Sequence, residues 1–503
     1  MSNTASSHLH LLIRSLDKSE KRYFKLHIRR MGEERNVHYE KLFDALSKQD
    51  QYDEEAIIKK FKGESFVKRF SVTKNRLYNQ LLNALEAFHA NSNIRVKLQR
   101  NLHQVEILFG KRLLKQSSKI LASVEKVAIE QELYSILIQV QEWKLRMHER
   151  SGFDLLEEED REGVLESVQG LDQGIHNELE ARVLKAGLFE QLYQKGKVRK
   201  EERLPSLEET EQRLIELESK AGLGAHTLHH LYHARSVLSF MRNEHEASLS
   251  WSKKDIDFIR SRPDIQWSPD LLPRLLSNAI YGASRLRRKE EARRHLEDLR
   301  VEVRKMEESA GLALLRSTEL AYFHMNDRME EGKEVLLDIT EALDQGRIHL
   351  SERDKAGLHF SMACIQLSTG DSRDALYSLN DILNSLRIGQ SEDIYCFAQM
   401  LHLLAHIDLD NRDYLKYALK STRRQLENRG RILEWEEFLV DLVQALVKSR
   451  SKETDLLAYS KFVNRTREVR KTDSTRATFE YFDFLAWAEN KLSLLSASSR
   501  LSA

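Results

Sequence analysis

Residues 359–383 read HFSMACIQLSTGDSRDALYSLNDIL, and this stretch decides the fold. Apolar side chains dominate up to Leu367, and Thr369-Gly370-Asp371 then break the run. Gly370 can take the left-handed conformation that ends a helix, and Asp371 or Ser372 can cap the next one. Ala375 and Leu379 follow one turn apart on a single helix face. The stretch therefore predicts two helices folded back on each other through a short polar turn.

Related copies surround it. LSFMRNEHEASLSW carries Ala247 and Trp251, GASRLRRKEEARRHLEDL carries Ala292 and Leu296, and AYFHMNDRMEEGKEVLLDI carries Gly332 and Leu336. A looser copy, HIDLDNRDYLKYALKSTRRQL, turns at Asn411-Arg412-Asp413. From Ala247 to Ala292, Gly332 and Ala375 the small residues recur after 45, 40 and 43 residues, inside the range of two-helix repeats. An earlier copy, ILFGKRLLKQSSKILASV, turns near Lys111-Arg112 and sets the start of the array near residue 96.

Small residue, turn, small residue and apolar spacing resemble a degenerate tetratricopeptide repeat with longer helices. The closing Pro of that repeat is missing, as are most of its Trp and Tyr positions. The resemblance implies an all-α, right-handed α-solenoid of tetratricopeptide-like helical hairpins. The chain also resembles a bacteroidete-type group of bacterial helical-repeat proteins of about this length. LIRSLDKSEKRYFKL (12–26), NRDYLKYALKSTRRQLENRGRILEWEEFLVDLV (411–443) and FEYFDFLAWAENKL (479–492) carry that likeness. It implies the same fold and brings no activity with it.

Composition agrees with an extended helical array. At 503 residues the chain is too long for one ordinary core, so it must be several domains or a repeat. Only four prolines occur, at 205, 263, 269 and 273, leaving long stretches that no residue lacking an N–H interrupts. Charged residues make up 32% and hydrophobic ones 41%, enough to fold and to clothe exposed helices. A net charge of +1 gives no whole-chain attraction to nucleic acid or to an anionic membrane. The first residues lack the apolar core of a signal peptide, and no run reaches the 18 or so apolar residues of a membrane span. A cytoplasmic protein is expected, with Cys364 and Cys396 as buried reduced thiols.

GLGAHTLHHLYHARSVL (222–238) holds His226, His229, His230 and His233. On a helix they fall in one arc as two i,i+4 pairs, a spacing that can chelate zinc or nickel. Four ligands on one straight helix approach an ion from one side only, so a real site needs a carboxylate or His from another helix. With Leu228, Leu231, Leu238 and Met241 as the apolar stripe, His230 borders the core and His229 lies on the far side. The four are therefore expected on a non-core face that lines a groove and contacts a partner, with no metal and no cofactor.

Other charged clusters have plain readings beside functional ones. The basic segment KKFKGESFVKRFSVTKNRLYNQ suggests a helix-turn-helix, with Lys68, Arg69, Lys74 and Arg76 on phosphates and Asn75 or Asn79 reaching bases. Its last helix carries Leu77, Leu81, Leu82, Leu85 and Phe88, a stripe suited to docking on the repeat array. Arg423, Arg424, Arg429 and Arg431 can face an acidic peptide or phosphate, or pair with Glu427 and Glu434. DLDNRD lacks the Gly and distal Glu of a calcium loop, and reads as a repeat turn. No P-loop, dinucleotide fingerprint, nucleophile elbow, HExxH or paired-Cys zinc spacing occurs.

The expected organisation is a basic N-terminal helical domain (1–95), the repeat array (96–450), and C-terminal capping helices with an aromatic face and a frayed tail (451–503). The expected function is non-catalytic: a scaffold holding a protein or peptide segment in the concave groove. Two alternatives are a regulator that binds nucleic acid through the N-terminal helices, and a metal-binding protein built on the histidines.

Overall fold

The computed structural model describes residues 4–30, 34–90, 93–151, 158–197, 205–345, 347–348, 350, 352–385, 392–428, 434–469 and 481–500. Among these residues the regular elements are all helical. The chain divides into two compact units, Met1–Leu171 and Asp172–Ala503, so the stretch expected as one array spans both.

The first unit opens with α1 (Thr4–Ser15), α2 (Lys18–Arg30), α3 (Glu34–Leu46), α4 (Glu54–Lys60) and α5 (Phe70–His89). Asp53 caps α4 by accepting from the Ala56 backbone N–H, the usual way to satisfy an orphan donor at a helix start. Leu77, Leu81 and Ala84 of α5 are buried against Leu9, Ile13, Phe24 and Phe43. The leucine stripe expected to dock on the repeat array thus serves the N-terminal helices' own core, because α1 to α3 supply a complete apolar face for it. Leu82 and Phe88 stay exposed. Next come α6 (Ile94–Gly110), α7 (Leu114–Glu130) and α8 (Tyr134–Ser151), which share a second core around Leu102, Val124 and Val140.

The second unit begins within the long helix α9 (Glu158–Lys195) and continues through α10 (Pro205–Glu218). Six helical hairpins follow: α11 (Ala225–Met241) with α12 (His245–Ser261), α13 (Leu271–Arg285) with α14 (Lys289–Glu302), and α15 (Glu308–Met325) with α16 (Met329–Asp344). Then come α17 (Glu352–Thr369) with α18 (Ser372–Ser385), α19 (Glu392–Asp408) with α20 (Arg412–Asn428), and α21 (Glu434–Lys448) with α22 (Lys452–Val469). Helix α23 (Phe484–Arg500) packs on α22.

The first helices α13, α15, α17 and α19 touch one another in sequence as well as their own partners. They form an inner layer of a solenoid. The outer layer has a period of its own: Leu337, Tyr377, Tyr417 and Leu457, each 40 residues after the last, are 71–78% exposed on α16, α18, α20 and α22.

Seven of the helix-to-helix turns share one backbone device. Arg112, Glu132, Asn243, Arg287, Asp327, Gly370 and Asp410 all have positive φ, and each lies one or two residues past the end of a helix. At Gly370 its N–H donates to the Leu367 carbonyl at 3.3 Å, and the next N–H donates to Gln366 at 2.8 Å. The same pair of bonds recurs at the other six, as in Arg112 to Phe109 and Leu113 to Leu108, both 3.0 Å. This is the Schellman closure, which satisfies the carbonyls left over at a helix end. A side chain in that conformation costs about 1 kcal/mol or more relative to glycine. Exposed Arg112 at φ 63° therefore offers a direct check: Arg112→Gly should raise urea-unfolding stability by about 1 kcal/mol, and no gain would show that the Arg side chain offsets its strain.

The DLDNRD stretch is a repeat turn, as its residues suggest. Asp408 accepts from Ser372 at 2.7 Å and Trp487 at 3.3 Å, and pairs with Lys491 at 2.8 Å. Its carboxylate ties the α17–α18 and α19–α20 hairpins to α23. Trp435 of α21, fully buried, stands between Phe397 of α19 and Phe484 at the start of α23, so the closing helix is held by aromatic rings. Cys364 and Cys396 are buried and unbridged.

Candidate functional site

Helix α11 is enclosed on several sides. Leu231, Ala234, Val237, Leu238 and Met241 pack with Leu188 of α9 and Leu214 of α10, while α12 lies along another face. The reading that places all four histidines on a wet face fails for His229, which is 4% exposed. Its side chain points at α12, where Asp255 lies fully buried. His229 Nδ1 sits 3.0 and 3.1 Å from the two Asp255 carboxylate oxygens. A helix packed on both flanks has no free side, and a wheel of α11 alone cannot show the second neighbour.

The other three histidines diverge. His230 Nδ1 lies 3.0 Å from Lys185 Nζ of α9, so a cation stands beside the cluster. His233 meets Phe189 edge-on at 5.6 Å between ring centres; both its ring nitrogens are buried, and neither has a hydrogen-bond partner among the described residues. His226 meets the edge of Trp267 at 5.1 Å.

Burial sets the protonation of this cluster. It holds His229 and His233 down at about 3, assisted by the Lys185 charge, and moves His230 in the same direction for the same reasons. Asp255 is pushed up to about 8 by burial, against the pull of Lys185, and burial lowers Lys185. The close contact of Asp255 with His229 has the geometry of an ion pair. A dry site disfavours both charges, so the neutral acid donating to a neutral ring is the state these environments favour.

Beside the cluster lies a cavity of about 330 Å³. Its wall is drawn from the first helices of successive hairpins: Ser236 of α11, Asn278 and Arg285 of α13, His324 of α15 and Phe360 of α17, closed by Tyr481. Ser252 of α12 joins Ser236 at 2.8 Å between hydroxyl oxygens, one helical turn from Asp255. At one end, Lys197 Nζ lies 4.2 Å from the Phe240 ring centre and 5.8 Å from that of Tyr481. The Arg285 guanidinium is 4.9 and 5.4 Å from the same two rings. Burial lowers His324 to about 4 and raises the Cys364 thiol, so neither carries charge at neutral pH.

The remaining sequence candidates lie apart from this cavity. Arg423 is exposed on α20 and pairs with Glu427 at 3.0 Å, Arg424 is exposed beside it, and Arg429 and Arg431 fall outside the described residues. Lys68, Arg69 and Arg76 are exposed in the first unit. Lys74 is engaged by Glu54 at 2.7 Å and the Tyr52 hydroxyl at 3.0 Å, which takes it out of any phosphate-contacting row. Among the described residues no helix is long and apolar enough to cross a membrane.

Sequence reading missed Asp255, Lys185 and the cavity wall. A wheel of α12 holds a signal for Asp255, which shares the buried face with Leu249, Ser252, Ile256 and Ile259. A carboxylate on an apolar face needs a partner.

No family model matches the sequence, and none of the curated proteins does. Among solved structures, the crystal structure of the apo form of RapI is similar to this chain with a TM-score of 0.38. Identity is 12%, and the match covers 79% of this chain and 98% of that one.

Proposed function

We propose that this protein is a non-catalytic binding scaffold that holds a peptide segment in the cavity of its inner helical layer. The observation that carries the reading is the wall itself, in which seven of the unit's helices each contribute residues to one enclosure. A volume of about 330 Å³ lies at the small end of ligand pockets, and suits the end of a chain or a few side chains. Hydroxyls and an amide at Ser236, Ser252 and Asn278 offer hydrogen bonds to a peptide backbone. Lys197 and Arg285 lie against the rings of Phe240 and Tyr481, and rigid rings beside a cation are the kind of anchor that carries most of an interface's energy.

Photocrosslinking in the native host tests this. A benzophenone side chain at Asn278, in the cavity wall, should capture a polypeptide, and the same group at exposed Glu297 of α14 should not. Equal capture at both positions, or none at Asn278, would overturn the reading.

A further inference from the structure

We infer that His229, His233 and Asp255 form a binding site for a divalent transition-metal ion of the zinc class. The pairing of helices supplies what one helix lacks: α11 brings two imidazoles one turn apart, and α12 brings a carboxylate from across the interface. One donor atom from each residue lies within 4.8 Å of the other two. Bonds of about 2.0–2.2 Å in a tetrahedron separate ligand atoms by roughly 3.3–3.6 Å. The His229 to Asp255 contact, at 3.0–3.1 Å, is already close to that separation.

His233 is the second observation. Both of its ring nitrogens are buried without a partner among the described residues, a state that native interiors avoid, and a bound ion would give one of them its bond. Two nitrogens and one oxygen suit zinc, cobalt or nickel, whereas magnesium and calcium require oxygen shells. Three protein ligands also leave a fourth position for water. Lys185 opposes the ion: it stands on His230 rather than among the donors, and its charge weakens the site without filling it. The site is independent of what the neighbouring cavity holds.

The test uses the full chain, purified without a histidine tag, stripped with chelator, and titrated with Co²⁺ and then Zn²⁺. One equivalent of Co²⁺ should give the visible bands of a low-symmetry four-coordinate ion, and Zn²⁺ should abolish them. Asp255→Asn, which keeps a neutral hydrogen-bonding group beside His229, and His233→Gln should each weaken binding by at least about a hundredfold. Thermal melts confirm that these variants are folded. Lys185→Met, which removes the opposing charge, should tighten binding about tenfold. The inference is overturned if the folded wild-type chain takes up no stoichiometric ion, or if folded Asp255→Asn and His233→Gln bind as tightly as wild type. Should both of those variants unfold, the wild-type titration and Lys185→Met still decide, because unchanged or weaker binding in the latter contradicts the placement of the ion.

Discussion

Acidification from pH 7 to pH 5 should destabilise the Asp172–Ala503 unit by about 2 kcal/mol. His233 is held at about 3, and His324 and His402 at about 4, all below their ordinary 6.5 and all first by burial. A depressed histidine stabilises the fold fully above pH 6.5, and that contribution is lost as pH falls toward the folded value. Each ring forfeits about 1.4 kcal/mol per pH unit in that window. Asp255 has the opposite sign: raised to about 8, it favours the fold when protonated, and its contribution declines from pH 3.8 up to 8. Three rings outweigh one acid, and halving the sum for water reaching rings beside the cavity leaves about 2 kcal/mol. The measurement is the melting temperature across pH, expected to peak near 6.5 and to fall by several degrees at pH 5. Asp255→Asn should flatten the limb between 6.5 and 8 and steepen the acid limb, because the offsetting gain from the protonated acid is lost. A melting temperature constant from pH 7 to 5 would mean that these rings are charged or solvated in the folded chain.

Trp435→Ala should cost about 3–5 kcal/mol, the range for removing a buried large aromatic. The indole is fully buried between Phe397, with ring centres 6.3 Å apart, and Phe484 at 5.1 Å. Phe397 also carries Tyr481 at 4.7 Å, and Tyr481 closes one side of the cavity. The substitution should therefore loosen the cavity wall as well as the closing helix. Urea unfolding with the slope unchanged, alongside crosslinking from position 278, separates the two effects: both should fall together. Trp435→Phe, which keeps a ring in the gap, should recover most of each. A loss below about 1 kcal/mol would show that the neighbouring rings collapse into the space.

The hairpin architecture was legible because its evidence is local. The small residues Ala292, Gly332 and Ala375 lie where the second helix of each hairpin is buried. The turns at Gly370 and Asn243 announce their left-handed residues by type. At Arg112, Glu132 and Arg287 the conformation is imposed on residues that do not advertise it. The site was less legible because it is a property of pairs of helices. The histidines were visible on α11, yet their burial depends on α9 and α12, and Lys185 and Asp255 lie 45 and 26 residues from the groups they meet. The α5 stripe went the same way: its pattern announces burial and cannot name the surface that covers it.

The seven identical turn closures have a consequence for how this chain varies. Each of these seven turns is shut by two backbone hydrogen bonds and one dihedral angle, so the joint itself demands no particular side chain. Arg287 to Asp327 and Gly370 to Asp410 are 40 residues apart, and Asn243 to Arg287 and Asp327 to Gly370 are 44 and 43. The outer-face positions from Leu337 to Leu457 keep the 40-residue step throughout; Leu337 stands ten residues after Asp327, whereas Tyr377 and Tyr417 stand seven after Gly370 and Asp410, so the extra three residues between Asp327 and Gly370 fall between the turn and the exposed residue of α16. Geometry recurs here as one backbone turn, while the residue that makes it differs from hairpin to hairpin.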